Sequence, residues 1–266
     1  MSRAKYVNFL KHIAAANAAG LCATTFSVVT SDKYWSFIGR VDYQTTAKNQ
    51  LSVRTSFWNY HNPNTGYLTT SYPNACDHVH RYDRSVFGTW SRVIHDNIVQ
   101  EVKAGYHTYY WKTDLDSGVQ PTPYHSFPAA QLNVGPTSFY PESFWEKTPS
   151  VHYGLAWHAG THDIKFGAED LIRTDYGYWP NNQRGSILFT GVPTDIPLAQ
   201  RFPLADWNNP SAWNLTGLDP LALSVTQNFS NNWNIRTPRK EYAIWMGNTW
   251  HTFPRLTFTY GLRWDV

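Results

Sequence analysis

The connections between the amphipathic segments of this chain sort by length, and that alternation constrains the fold more than any single motif. Eight segments read as strands, near residues 34–45, 51–57, 85–94, 98–111, 150–158, 162–174, 240–251 and 256–266. The links run short (TAKN), long (around 62–84), short (around His95 to Asn97), long (around 112–149), short (AGTH), very long (around 175–239) and short (TFPR). A soluble sandwich has no reason to gather its tight turns at one end and its long loops at the other. A membrane barrel does, with tight periplasmic turns and long extracellular loops.

Within the segments the side chains alternate. Trp35, Phe37, Gly39, Val41 and Tyr43 oppose Ser36, Arg40, Asp42 and Gln44, and Leu51, Val53 and Phe57 oppose Ser52, Arg54 and Ser56. The last segment sets Leu256, Phe258, Tyr260, Leu262, Trp264 and Val266 against Thr257, Thr259, Gly261, Arg263 and Asp265. VFGTWSRVI alternates cleanly in neither register and is placed by its neighbours. A charge on a lipid face near the midplane costs about 2–4 kcal/mol. The apolar set is therefore expected to face lipid, and Arg40, Asp42, Arg54, Glu101, Lys103, Lys165, Glu169 and Arg263 to face the lumen.

Composition fits this reading. Aromatic residues make up 17% of the chain and charged residues 15%, an excess of rings that a barrel places in girdles at its two interfaces. Mean hydropathy is -0.48, and no run of about 18 apolar residues exists to form a membrane helix. The net charge of +3 gives no reason to expect a nucleic-acid partner. The expected partner is outer-membrane lipid.

Candidate chemistry is sparse. Asp77, His78 and His80 form the best local metal cluster, but they fall in a long polar loop, and His152, His158 and His162 flank a short turn. No pair of carboxylates is marked out for acid–base work, so the chain is read as neither an enzyme nor a cofactor carrier. Tyr176, Trp179, Trp207, Trp213 and Trp233 in or beside the longest loop are candidate ligand contacts, with self-packing of the loop as the alternative. Cys22 and Cys76 fall on the same extracellular side of the first hairpin, which makes a disulfide feasible, two free thiols being the alternative. The N-terminus has the basic-then-apolar order of an export signal, but Asn17 interrupts its apolar core. Residues 1–33 are therefore read as an extracellular loop or partial segment, and 34–266 as the barrel region.

A family resemblance sharpens the expectation. His162, Lys165, Phe166, Gly167 and Glu169, followed by Arg184, Gly185, Phe189 and Gly191, resemble a recurring strand and loop of TonB-dependent transporters. The closing segment is similar through Glu241, Tyr242, Trp250, Pro254, Arg255, Leu256, Thr257, Gly261, Leu262, Arg263 and Trp264. The opening hairpin resembles the family too, and the nearest likeness is to Oar-like receptors carrying a carboxypeptidase-regulatory-like domain. The resemblance implies a 22-stranded barrel, a plug within it, and a TonB box energised from the inner membrane. No plug is placed in the residues before the first strand, so contact with the TonB complex would run through a plug this chain lacks. The chain ends Asp265, Val266 rather than on an aromatic residue. The expectation is thus an all-β, antiparallel, transmembrane barrel wall: an eight-stranded fragment of an outer-membrane receptor that imports a large or scarce substrate. The alternatives are a self-contained small outer-membrane barrel, adhesive or structural, and a soluble Trp-rich carbohydrate-binding β domain.

Overall fold

The computed structural model describes residues 4–11, 24–63, 77–115, 122–130, 132–206 and 209–266. It begins with an antiparallel hairpin, β1 (Ala4–Lys11) with β2 (Thr24–Ser31), in the stretch the alternation argument passed over. Next comes the sheet that dominates the molecule: β3 (Lys33–Thr46), β4 (Asn49–Asn62), β5 (Asp77–His95) and β6 (Ile98–Leu115), then β9 (Glu142–Ala159), β10 (His162–Tyr178), β13 (Asn234–Phe253) and β14 (Leu256–Asp265). These eight strands lie side by side in chain order, every neighbouring pair antiparallel. Among the described residues the sheet is open, with β3 and β14 as its edges.

All four short links lie at one end, and each is a two-residue turn: Ala47–Lys48, Asp96–Asn97, Gly160–Thr161 and Pro254–Arg255. At the opposite end the strands run on well past the expected segments. β5 starts at Asp77 rather than near 85, and β9 at Glu142 rather than near 150. Crossing a bilayer takes about 9–11 residues. These 18- and 19-residue strands therefore project beyond it on the long-loop side.

Two of the long connections fold. Residues between β6 and β9 supply β7 (Tyr124–Phe127) and β8 (Leu132–Val134). Those between β10 and β13 supply β11 (Ser186–Phe189), the one-turn helix α1 (Leu198–Arg201) and β12 (Ala222–Thr226). The four strands make a second sheet in the order β12-β11-β7-β8, with β7 and β11 parallel. The only cluster of buried hydrophobic residues among the described ones is here: Phe127, Leu132, Val134, Phe189, Leu198, Phe202, Trp213 and Leu218 with Ala130. The large sheet has no comparable core. Instead it exposes Phe37, Val41, Val53, Val151, Ile244, Met246, Leu262 and Trp264, a display of apolar surface that a soluble monomer would not sustain.

Glycines set how closely its strands approach. Gly167 pairs with Gly154 on one side and Trp245 on the other. A Cβ at Gly167 would lie 2.3 Å from the Tyr153 carbonyl oxygen and 2.6 Å from the Trp245 ring. The indole lies across the bare backbone, as Phe87 lies across Gly105, the aromatic covering of a strand glycine that lets a sheet curve. This accounts physically for the glycine of the KFGxE segment. Gly167→Ala is expected to cost about 1–3 kcal/mol by overpacking, read as a lower unfolding midpoint of the barrel in detergent. Gly191→Ala, with nothing within 4 Å of its added methyl, should leave the midpoint unchanged.

Candidate lumenal wall and extracellular mouth

Register sorts the side chains of the eight strands into two faces without reference to polarity. Arg40 pairs with Arg54 and Arg54 with Phe87. Thr89 pairs with Lys103, Lys103 with His152, His152 with Glu169, Glu169 with Ala243, and Ala243 with Asp265. Paired residues share a face, and faces alternate along a strand. Arg40, Asp42, Arg54, Glu101, Lys103, Lys165, Glu169 and Arg263 therefore all lie on one side. Trp35, Phe37, Val41, Leu51, Val53, Phe57, Leu256, Phe258, Tyr260, Leu262 and Trp264 all lie on the other. The charged face is the one expected to turn to the lumen and the apolar face to lipid, since the reverse would place eight charges in hydrocarbon.

The lumenal charges divide into paired and unpaired sets. Arg40 pairs with Asp42 at 2.8 Å, and Arg263 with Asp265 at 2.8 Å and Glu169 at 3.3 Å. Near the short turns Asp163 takes His158 at 2.6 Å and His251 at 2.9 Å. Arg54, Glu101 and Lys165 are exposed and form no ion pair among the described residues. Lys103 rests over the Phe87 ring, 4.9 Å from its centroid.

Toward the long loops the same face carries a network that the sequence reading missed. Asp83 meets His107 at 2.9 Å, His107 approaches Glu146 at 3.7 Å, and Glu146 lies 3.6 Å from Arg173. Asp175 pairs with Arg239 at 2.8 Å. The signal was present, because Arg173 and Asp175 keep the parity of Lys165 and Glu169 on β10. Above it Arg81 lies between the rings of Tyr60 and Trp111, 5.7 Å from each centroid. Beyond these come Tyr140 and Arg184. Burial holds the Tyr140 hydroxyl above its usual pKa, with Glu142 and Asp77 adding to the rise, and burial lowers Arg184. Arg184 also donates to the Thr137 carbonyl, and Asn182 N–H donates to Ser138 O at 3.0 Å. These contacts tie the two folded connections together.

The candidate ligand aromatics do not form one surface. Trp213 is 8% exposed inside the loop core, donating from Nε1 to the Asp206 carbonyl at 3.0 Å, so for this residue self-packing is what occurs. Tyr176 belongs to β10 rather than to the loop, on the lipid side, with its ring near Trp145. Trp179 sits against Trp111 at 5.6 Å and bonds through its backbone to Trp233. Trp207, Cys22 and Cys76 lie outside the described residues, and with them the candidate disulfide. No group of three or more His, Cys, Asp or Glu among the described residues is arranged to hold a metal ion.

His125 gives the loop unit a pH dependence. It is 5% exposed, with Phe189 stacked at 6.3 Å and Trp213 edge-on at 5.8 Å. Burial lowers its pKa below 6.5, outweighing backbone hydrogen bonds to Pro123 and Val134 that favour the charged form. The folded state thus binds fewer protons than the unfolded one below pH 6.5, and stability falls as pH drops through that window. Corrected for the intrinsic pH dependence of exchange, amides of β7, β8 and β11 should be less protected at pH 5 than at pH 7.5, and His125→Gln should flatten the difference. Equal protection at both pH values in the unsubstituted protein would contradict the assignment.

The sequence matches the profile of the outer membrane beta barrel domain over residues 3–266. Two solved structures share the fold. One is the ferric-catecholate import receptor Fiu from E. coli K12, open form, with TM-score 0.52 and 12% identity, covering 89% of this chain and 37% of that one. The other is the ferripyoverdine receptor of the outer membrane of Pseudomonas aeruginosa, bound to ferripyoverdine, with TM-score 0.52 and 12% identity, covering 99% of this chain and 32% of that one. The chain spans about a third of the length of these receptors. No curated protein sequence matches it.

Proposed function

Since the chain belongs to the outer membrane beta barrel domain family, we propose that it forms part of the wall of a TonB-dependent receptor importing a large or scarce substrate. The observation that carries this is the exposure of the lumenal face. An eight-stranded barrel closed on itself fills its interior with its own side chains, whereas here Arg54, Glu101, Lys103 and Lys165 stand exposed in the middle of the wall. Charged groups so placed suit a wide lumen in which a plug or a passing polar cargo supplies their partners. On this reading the chain works by enclosing and guiding, not by catalysis, and coupling to the TonB complex runs through the plug.

Ferric catecholate and ferripyoverdine, named for the two similar receptors, are the first cargoes to try. Radiolabelled iron carried by each should accumulate in cells expressing the full-length receptor, fail to accumulate in a deletion strain, and stop entering when a protonophore is added. Small solutes leaking through the reconstituted protein, indifferent to the protonophore, would instead support a self-contained barrel. The soluble carbohydrate-binding alternative does not fit a member of this family.

A further inference from the structure

We propose that the lipid-facing side of the sheet carries a docking site for a phosphorylated lipid of the outer leaflet, formed by Arg84, Lys147 and Lys240. Register puts all three on the apolar face, where charge is otherwise scarce. Height can be read from the short turns. Arg84 is 11 residues from His95, Lys147 is 12 from Ala159, and Lys240 is 13 from Phe253. A strand tilted by about 40° climbs roughly 2.5 Å per residue along the bilayer normal. The three cations therefore sit about 28–33 Å above the turns, at the top of an apolar band about 25 Å tall. Below them, Asp170 and the turn-proximal Arg92 are the charged side chains on this face among the described residues of β3–β14. Level with them at the edge of the sheet is Lys33, and above them are Arg236 and Asp114, the latter paired with Lys112.

The side chains point the right way. Arg84 lies over the ring of Tyr82, 4.4 Å from its centroid, and Lys147 lies over Trp145 at 4.0 Å and Tyr176 at 5.3 Å. Each of these rings is further from the short turns than its cation, so both charges reach away from the membrane centre. The rings are continuous across β5, β6, β9 and β10: Tyr82 stacks on Tyr110 at 4.9 Å, Tyr110 meets Trp145 at 6.4 Å, and Trp145 meets Tyr176 at 6.4 Å. Arg84 and Lys147 flank Thr108 in register, two strand spacings or about 10 Å apart. A phosphate between them can meet both. None of the three cations has an acidic partner among the described residues, so the occupant supplies the negative charge. At this height that occupant is a lipid headgroup.

The test titrates the full-length receptor in detergent with diphosphorylated lipid A and with the same glycolipid stripped of phosphate, scoring complexes by native mass spectrometry. The phosphorylated form should bind preferentially, and inorganic phosphate at equal concentration should not displace it. Arg84→Gln, Lys147→Gln and Lys240→Gln combined should weaken binding about a hundredfold, and Lys147→Gln alone about fivefold, given roughly equal contributions from basic residues near an anionic surface. Arg92→Gln, on the same face at the opposite end, should bind as well as the unsubstituted protein. A triple variant that keeps its folded mobility and full affinity would overturn the proposal. So would indifference to the lipid's phosphates, or complete displacement by free phosphate.

Discussion

Met246→Arg should destabilise the membrane-inserted sheet by about 2–4 kcal/mol, while Lys165→Leu, across the strand pair, should change stability little. Met246 is paired with Phe166 and Leu262, 7 residues from Phe253 and 58% exposed, which sets it near the bilayer midplane with only lipid to cover it. Lys165 is paired with Gly247 one step along on the opposite face. In water the forecast would be reversed, since an exposed methionine replaced by arginine on a soluble sheet would cost almost nothing. Reversible unfolding in phospholipid vesicles measures both substitutions. Equal, small effects would mean that the two faces see the same solvent, and the assignment of lipid and lumen would fall.

How much of this was legible in the sequence varies with depth in the membrane. Near the short turns the two solvents differ most, and the alternation was plain: Leu256 to Trp264 opposite Thr257 to Arg263 fixes both strand and face. Higher up, the contrast fades. His80, Tyr82 and Arg84 point to the outer interface while Arg81 and Asp83 point to the mouth, so both faces are polar or aromatic and a period of two leaves no mark. The strands therefore continue for residues where no alternation announces them, and the Asp83–His107–Glu146 network lies in that extension. VFGTWSRVI was ambiguous for a different reason. Phe87 points into the lumen, where it covers Gly105, an apolar residue whose purpose shows only when its neighbour's missing side chain is seen. The second sheet was illegible because β7 and β11 pair in parallel across some 60 residues, and its strands of 3 to 5 residues are too short to show a period.

That second sheet is where the largest single substitution effect is expected. Arg201 closes α1 with its guanidinium 1% exposed. Its Nη2 donates to both carboxylate oxygens of Asp195 at 2.8 Å, its Nη1 to the carbonyls of Asn214 at 3.0 Å and Thr216 at 2.6 Å, and its Nε to the Ile196 carbonyl at 3.2 Å. One planar group thereby satisfies three carbonyls from two loop segments that have no strand partner of their own. Arg201→Leu leaves those carbonyls without their donors and should cost about 3–5 kcal/mol, the range for removing one member of a buried charged network. Arg201→Lys should rescue little, because an ammonium cannot fork to both segments and the carboxylate at once. Asp195→Asn should cost less than either, since that carboxylate is 64% exposed and water can replace it. The loss should stay local. Protease should cut Arg201→Leu within residues 195–216 and release protection in β11, while the eight-stranded sheet keeps its folded mobility in detergent, because each of its strands is held by ladders in which Arg201 takes no part. If the Arg201→Leu loops stay as resistant as those of the unsubstituted protein, the guanidinium is not what holds them. If the whole sheet unfolds with them, the loop unit and the wall are one cooperative body rather than two.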